Sequence, residues 1–201
     1  AYKVAGTILG VWGSRLEESI AILKKGIVHN PDSWELHFIL GYDYFYELCD
    51  RATAAEHLRA ASVRSGAPEY LPRLAARMTV DAGNPETALE FLGRLYAQTQ
   101  DPHMRESLVQ RIKEVIAERD IRFLEEGVRR YVSRYGRKPE SLQALVTGGI
   151  IERVPEEPLG GRYLLDSTEG SVTSSGLQER LRVHVKVNTR IPCHLRMKGR
   201  T

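Results

Sequence analysis

Cysteine is nearly absent from this 201-residue chain: Cys49 and Cys193 are the only two, and their separation follows no ligand or redox spacing. Neither a disulfide framework nor a Cys-x-x-Cys site is written into the sequence. Aromatic residues are also sparse, at 7%, so a position that carries one stands out. Apolar runs fall short of the roughly 18 to 20 residues that a membrane-spanning helix needs. The phosphate-loop, dinucleotide, nucleophile-elbow and zincin patterns are missing, and the six histidines are scattered without metal-ligand spacing. The expectation is a non-enzymatic chain with no catalytic residue, no metal and no cofactor. A net charge of +3 selects neither nucleic acid nor a membrane surface. What is present, 42% hydrophobic and 27% charged residues, is the composition of an ordinary folded protein of one or two domains. The chain begins Ala-Tyr-Lys-Val, without Met, and the expectation is a processed or trimmed start with any anchor lying upstream.

A self-similarity of about 34 to 35 residues runs through the first half, the period of helical pairs that cannot bury their apolar faces alone. Second halves of the units carry Ser19, Leu23, Gly26 and Pro31; Ala54, Leu58, Ala61 and Pro68; and Ala88, Leu92 and Leu95. Small, large, small at i, i+4 and i+7 is one helical face, on which small residues let helices approach and the large one fills the gap. First halves carry Tyr2, Gly6 and Leu9; His37, Leu40, Gly41 and Tyr44; and Ala75, Ala76 and Thr79. These residues resemble the tetratricopeptide repeat (TPR) family over about residues 1–102, with a one-residue insertion between the halves of the first two units. Asn30-Pro31-Asp32-Ser33 and Gly83-Asn84-Pro85-Glu86 read as loops, with Ser33 and Asn84 available as N-cap acceptors. Residues 103–118 read as an amphipathic helix capping the last repeat.

A further helix is expected from Asp120 to Gly136, then a short helix over 140–146, then two short strands, Arg162–Leu165 and Gly170–Thr173, joined by a turn. The order Tyr-Gly-x-x-Pro-x-x-Leu-x-x-Leu-Val, Gly-x-Ile, Pro-x-x-Pro-x-Gly-Gly-x-Tyr and Gly-x-Val resembles, over about residues 124–175, the globular end of pseudopilins from type II secretion and type IV pilus machinery. That resemblance implies bacteria and the cell envelope. Some pseudopilins hold calcium here, but Glu156, Glu157, Asp166 and Glu169 lack the spacing of a defined site and read as solvated carboxylates. Leu181 to Val187 alternates apolar and basic residues as a half-buried strand would, and 177–201 holds seven Lys or Arg against one acid. The tail lacks stacking aromatics, so no specific nucleic-acid partner is expected.

The expected fold is mainly α: a TPR solenoid of about three repeats with a capping helix over 1–118, a small α+β module with a short antiparallel sheet over 119–188, and a basic tail, 189–201. The TPR resemblance implies that first helices line a concave groove. Counting from Gly41 gives Glu35, Phe38, Tyr42, Phe45 and Tyr46 in the second unit, and counting from Ala76 gives Tyr70, Arg73, Arg77, Val80 and Asp81 in the third. Arg73 and Arg77, four apart on one helix, are placed to grip a carboxylate, with salt bridging to Asp81 as the alternative. Two functions are open: an adaptor of a bacterial cell-envelope assembly, periplasmic or membrane-anchored, that binds a protein or peptide segment in the groove; or a structural subunit of a pilus, filament or secretion-related complex, its groove filled by another copy of a homo-oligomer or by its own tail. A cytoplasmic location is the alternative to the envelope.

Overall fold

The computed structural model describes residues 1–12 and 15–181. The expected strand continuing beyond Leu181 and the basic tail lie outside the described residues. Eight α-helices, two π-helical turns and one two-stranded sheet make up the regular structure among the described residues, which is mainly helical. Two compact units divide it, residues 1–105 and 106–181.

The first unit contains α1 (Tyr2–Thr7), α2 (Leu16–His29), α3 (Trp34–Tyr42), α4 (Arg51–Ser62), α5 (Leu71–Asp81) and α6 (Pro85–Gln98). Each helix packs on the next, and α1 also reaches α3. Small residues make this possible. A Cβ on Gly6 would lie 2.5 Å from Leu23 Cδ2, and one on Gly26 would lie 2.7 Å from the Tyr2 Cβ. Ser19, Leu23, Ala54, Ala61, Ala75, Ala76, Ala88 and Leu92 are fully buried, so the small–large–small face is the packing face.

The one-residue insertion in the first two units has a structural counterpart. α1 and α3 each run on into a π-helical turn, Ile8–Trp12 and Asp43–Glu47, at the same place in their helix pairs. α5, in the unit without the insertion, ends without one. A π turn absorbs an extra residue by closing i to i+5, as the amide of Leu48 does on the carbonyl of Asp43.

Two expected caps differ. Ser33 stands at the start of α3 but donates to Glu35, and the Asn84 amide donates to the Ala82 carbonyl, so neither side chain accepts from the helix. Pro85 at the first position of α6 lacks one of the donors that a cap would satisfy. Asp50 does cap α4, accepting from the amide and hydroxyl of Thr53.

α7 is a single helix of 34 residues, Pro102–Tyr135, where the sequence suggested a capping helix to 118 and a separate one from 120. Arg119 and Asp120 contain no breaker, and Asp120 is held in place by Arg119 and by the Tyr163 hydroxyl, which donates to it. In the second unit α7 supplies Ile121, Leu124, Val128 and Tyr131 to a core shared with Leu142 and Leu145 of α8 (Leu142–Thr147), Ile151, Tyr163 and Val172. Gly136 ends α7 with φ +68, its amide on the Val132 carbonyl. The hairpin is β1 (Tyr163–Leu165) and β2 (Val172–Ser174), paired antiparallel with Tyr163 opposite Ser174 and Leu165 opposite Val172. Asp166 organises its turn by accepting from the amides of Thr168 and Glu169.

Glu118 is the most deeply buried charge among the described residues. It accepts from Arg180 Nε at 2.7 Å and Nη2 at 3.0 Å, from Arg122 Nε at 3.2 Å and from the Leu181 amide. Burial pushes its pKa up, but these donors, Arg180 foremost, outweigh it and hold the carboxyl below the ordinary range.

Candidate functional site

The feature of the first unit that offers recognition chemistry is an aromatic pocket. The π-helical turn that follows α3 closes i to i+5 instead of i to i+4, a wider turn that keeps Phe45 and Tyr46 beside Tyr42 and Phe38 at one pocket. The Tyr42 and Tyr46 ring centroids lie 4.4 Å apart, and Phe45 meets Tyr46 edge-on at 4.9 Å. Leu58 from α4 and Leu74 and Met78 from α5 complete a cavity of about 240 Å³, floored by Gly41. A Cβ on Gly41 would sit 3.2 Å from the Ala54 carbonyl, so the small residue sets how closely α3 and α4 approach beneath the pocket.

Phe45 is buried, but Tyr42 is 41% and Tyr46 38% exposed. Burial, with the neighbouring Tyr46, Glu47 and Asp43, raises the Tyr42 pKa, so its phenol stays neutral and remains a hydrogen-bond donor at the rim. Beneath the turn Asp43 is 1% exposed and touches Ser19 Oγ at 2.8 Å, while the same hydroxyl donates to the Gly6 carbonyl. One hydroxyl has one proton, so a protonated Asp43 completes both bonds. Burial raises the Asp43 pKa, which the Ser19 bond opposes and Glu47 reinforces.

Of the residues expected in the groove, Phe38, Tyr42, Phe45 and Tyr46 come together here, and the others do not line this pocket. Glu35 is drawn to the start of α3, where it accepts from Ser33 and pairs with Lys3 at 3.5 Å. Its pKa is lowered, chiefly by a backbone hydrogen bond at its own position. Tyr70 stands exposed at the start of α5. Arg73 and Arg77 are half-buried and each is already engaged. Asp81 pairs with Arg51 at 3.4 Å. Val80, read as a groove residue, is fully buried. The pocket face of α5 is the one with Leu74 and Met78, one position on from Arg73 and Arg77. Ala75 and Ala76 are equally small and equally buried, so a count from Ala76 rotates the helix.

The second unit has an open cleft of about 1010 Å³ beside α7 and the segment 150–156. Arg119, Arg130 and Arg153 line it together with Asp120, Glu152 and Glu156, a balance that selects no ligand charge. Glu157, considered above as a calcium donor, accepts from Ser174 and from the amides of Leu159 and Gly161, so it serves as a loop brace. Among the described residues no helix is long and apolar enough to cross a membrane. Comparison with protein-family models, with curated proteins and with solved structures finds no match for this chain.

Proposed function

We propose that the first unit is a non-enzymatic interaction module, an adaptor that takes an apolar or amphipathic segment of a protein partner into the pocket of Phe38, Tyr42, Phe45 and Tyr46. The observation that carries this reading is the exposure of two tyrosines, their tilted rings 4.4 Å apart, at an apolar cavity in a chain otherwise poor in aromatics. Tyrosine supplies large contact area with few rotatable bonds and a polar rim, the chemistry of a binding hot spot. The resemblance of the first half to tetratricopeptide repeats supports the reading, since that family binds extended or helical segments in its groove. The pseudopilin-like order of residues 124–175 supports a place in a bacterial envelope assembly.

Exposed Phe123, Val132 and Leu164 in the second unit favour a second reading, a structural subunit of a pilus, filament or secretion-related complex in which these side chains pack on other subunits. Selection from a random peptide display library against wild type and against Tyr42→Ser/Tyr46→Ser tests the adaptor. The adaptor predicts enriched sequences with apolar anchors at i, i+3 or i+4 spacing that bind the wild type and lose at least about tenfold in affinity for the variant. Ligands that bind both proteins equally refute it.

A further inference from the structure

Cys49 is disulfide-bonded, in a chain whose one other cysteine is Cys193. We propose that these two cysteines form an intrachain disulfide, which ties the C-terminal segment to the end of the π turn that carries Phe45 and Tyr46, and that the protein works in an oxidising compartment. Cys193 lies outside the described residues; the pairing follows from the bond at Cys49 and from the count of cysteines.

The backbone at Cys49 suits a different residue. Its φ is +59, in the left-handed region, and the six other positive-φ positions among the described residues are all glycine. The neighbours hold it there. The Leu48 amide donates to the Asp43 carbonyl, the Asp50 amide donates to the Tyr44 carbonyl, and the Asp50 carboxylate caps α4 by accepting from the Thr53 amide. Ending the π turn and starting α4 within three residues leaves the middle one in a conformation where a Cβ crowds the carbonyl that follows. A side chain kept at a position that favours glycine points to a use for that side chain, and the disulfide at Cys49 is that use.

Cys49 is half-buried, so its sulfur can be reached by a reaction partner. The bond forms by exchange with a disulfide-bearing oxidant: one cysteine thiolate attacks the oxidant and releases its first thiol, and the other cysteine thiolate then displaces the second. Two cysteine thiols are oxidised, one donor disulfide is reduced to two thiols, and the two cysteine protons end on the donor. A cross-link between residues so far apart removes much of the freedom of the unfolded chain and so favours the folded first unit. Such bonds persist in the periplasm, at the cell surface or outside the cell, and are reduced in the cytosol. This inference uses neither the aromatic pocket nor either family resemblance, and the failure of the adaptor reading would leave it standing.

The test begins with cells of the native host lysed directly into N-ethylmaleimide, after which the full chain is digested with trypsin without reductant. The expected product is peptide 26–51 joined to peptide 191–196, separating into its two parts when dithiothreitol is added. N-ethylmaleimide on both cysteines, or Cys49 joined to a second Cys49 or to another protein, overturns the proposal. Urea unfolding followed by tryptophan fluorescence adds a readout whose sign depends on the bond. Without reductant, Cys49→Gly should lower the midpoint by about 1 M or more through loss of the cross-link. With dithiothreitol the same variant should raise it by about 0.3 M, because glycine accepts the φ of +59 that reduced cysteine must still adopt. Cys193→Ser should match the loss without reductant and equal the wild type with it. A midpoint equal to that of the wild type for either variant without reductant overturns the proposal.

Discussion

Acid should unfold the first unit through one histidine. His37 on α3 is 7% exposed, and its Nδ1 lies 3.1 Å from Nδ1 of His57 on α4. A contact between two ring nitrogens needs one proton and one lone pair. His37 Nε2 is buried without a partner among the described residues, and an orphan lone pair is tolerated better than an orphan N–H. The assigned arrangement is therefore His37 Nδ1–H donating to His57 Nδ1. The groups around the pair are Arg64, Lys24 and Glu56, with the Tyr44 ring stacked on His57. Burial, then the charges of Arg64 and His57, lower the His37 pKa from 6.5 to about 4, and burial lowers that of His57. A histidine depressed in the folded state contributes stability that is complete above its unfolded value and lost as pH falls from there through the folded one. For His37 the loss comes to about 2 kcal/mol by about pH 5 and about 3 kcal/mol by about pH 4. Both tryptophans, Trp12 and Trp34, belong to the first unit, so urea unfolding followed by tryptophan fluorescence reports on that unit alone. Wild type should lose stability by these amounts, and His37→Gln, which keeps a donor for His57 but cannot charge, should lose at most half as much. A flat profile in wild type between about pH 7 and pH 4, or the same slope in His37→Gln, would refute the assignment.

Three further substitutions probe other parts of the account. Asp43→Asn should stabilise the first unit at neutral pH, on the order of 1 kcal/mol, because the native carboxyl has a raised pKa and its favourable contribution disappears as pH rises through that value; the same urea titration should show the gain vanish in acid. Gly6→Val should cost about 1–3 kcal/mol, since Leu23, which its Cβ would strike, is fully buried. Glu118→Ala should lower the stability of the second unit by about 2–3 kcal/mol by removing the main partner of Arg180, which keeps Glu125 and the Val172 carbonyl, and a partner of Arg122, read by hydrogen exchange of amides along 121–131, and Glu118→Leu/Arg180→Met should recover part of that loss.

Helix positions in the first half were legible because spacing alone marks a packed face: Leu23, Ala54, Ala61, Ala75, Ala88 and Leu92 are where small–large–small periodicity puts them, and all are buried. The hairpin was legible too, shifted by a residue or two, because Asp166 and Gly170 are turn formers. The π turns were visible only as a one-residue mismatch between repeat units; a sequence shows that a residue is extra but not that a helix absorbs it by widening. For the pocket, Phe38, Tyr42, Phe45 and Tyr46 were found by counting along one helix. Leu58, Leu74 and Met78 were not, because they come from neighbouring helices whose rotation depends on which of two adjacent alanines faces inward. Asp81, read as one of the acids near Arg73 and Arg77, pairs with Arg51 on α4, a neighbour that spacing along α5 does not reveal.

The central claim is that the aromatic pocket receives a segment of another protein. The most direct measurement is photo-crosslinking from p-benzoylphenylalanine placed at Tyr46 in cells of the native host, with the adducts mapped by mass spectrometry. The account predicts a defined adduct on one short segment of a different protein, lost when Tyr42 is also changed to Ser. Adducts confined to residues 182–201 of the same chain or to a second copy of it, or the absence of any adduct, would contradict it.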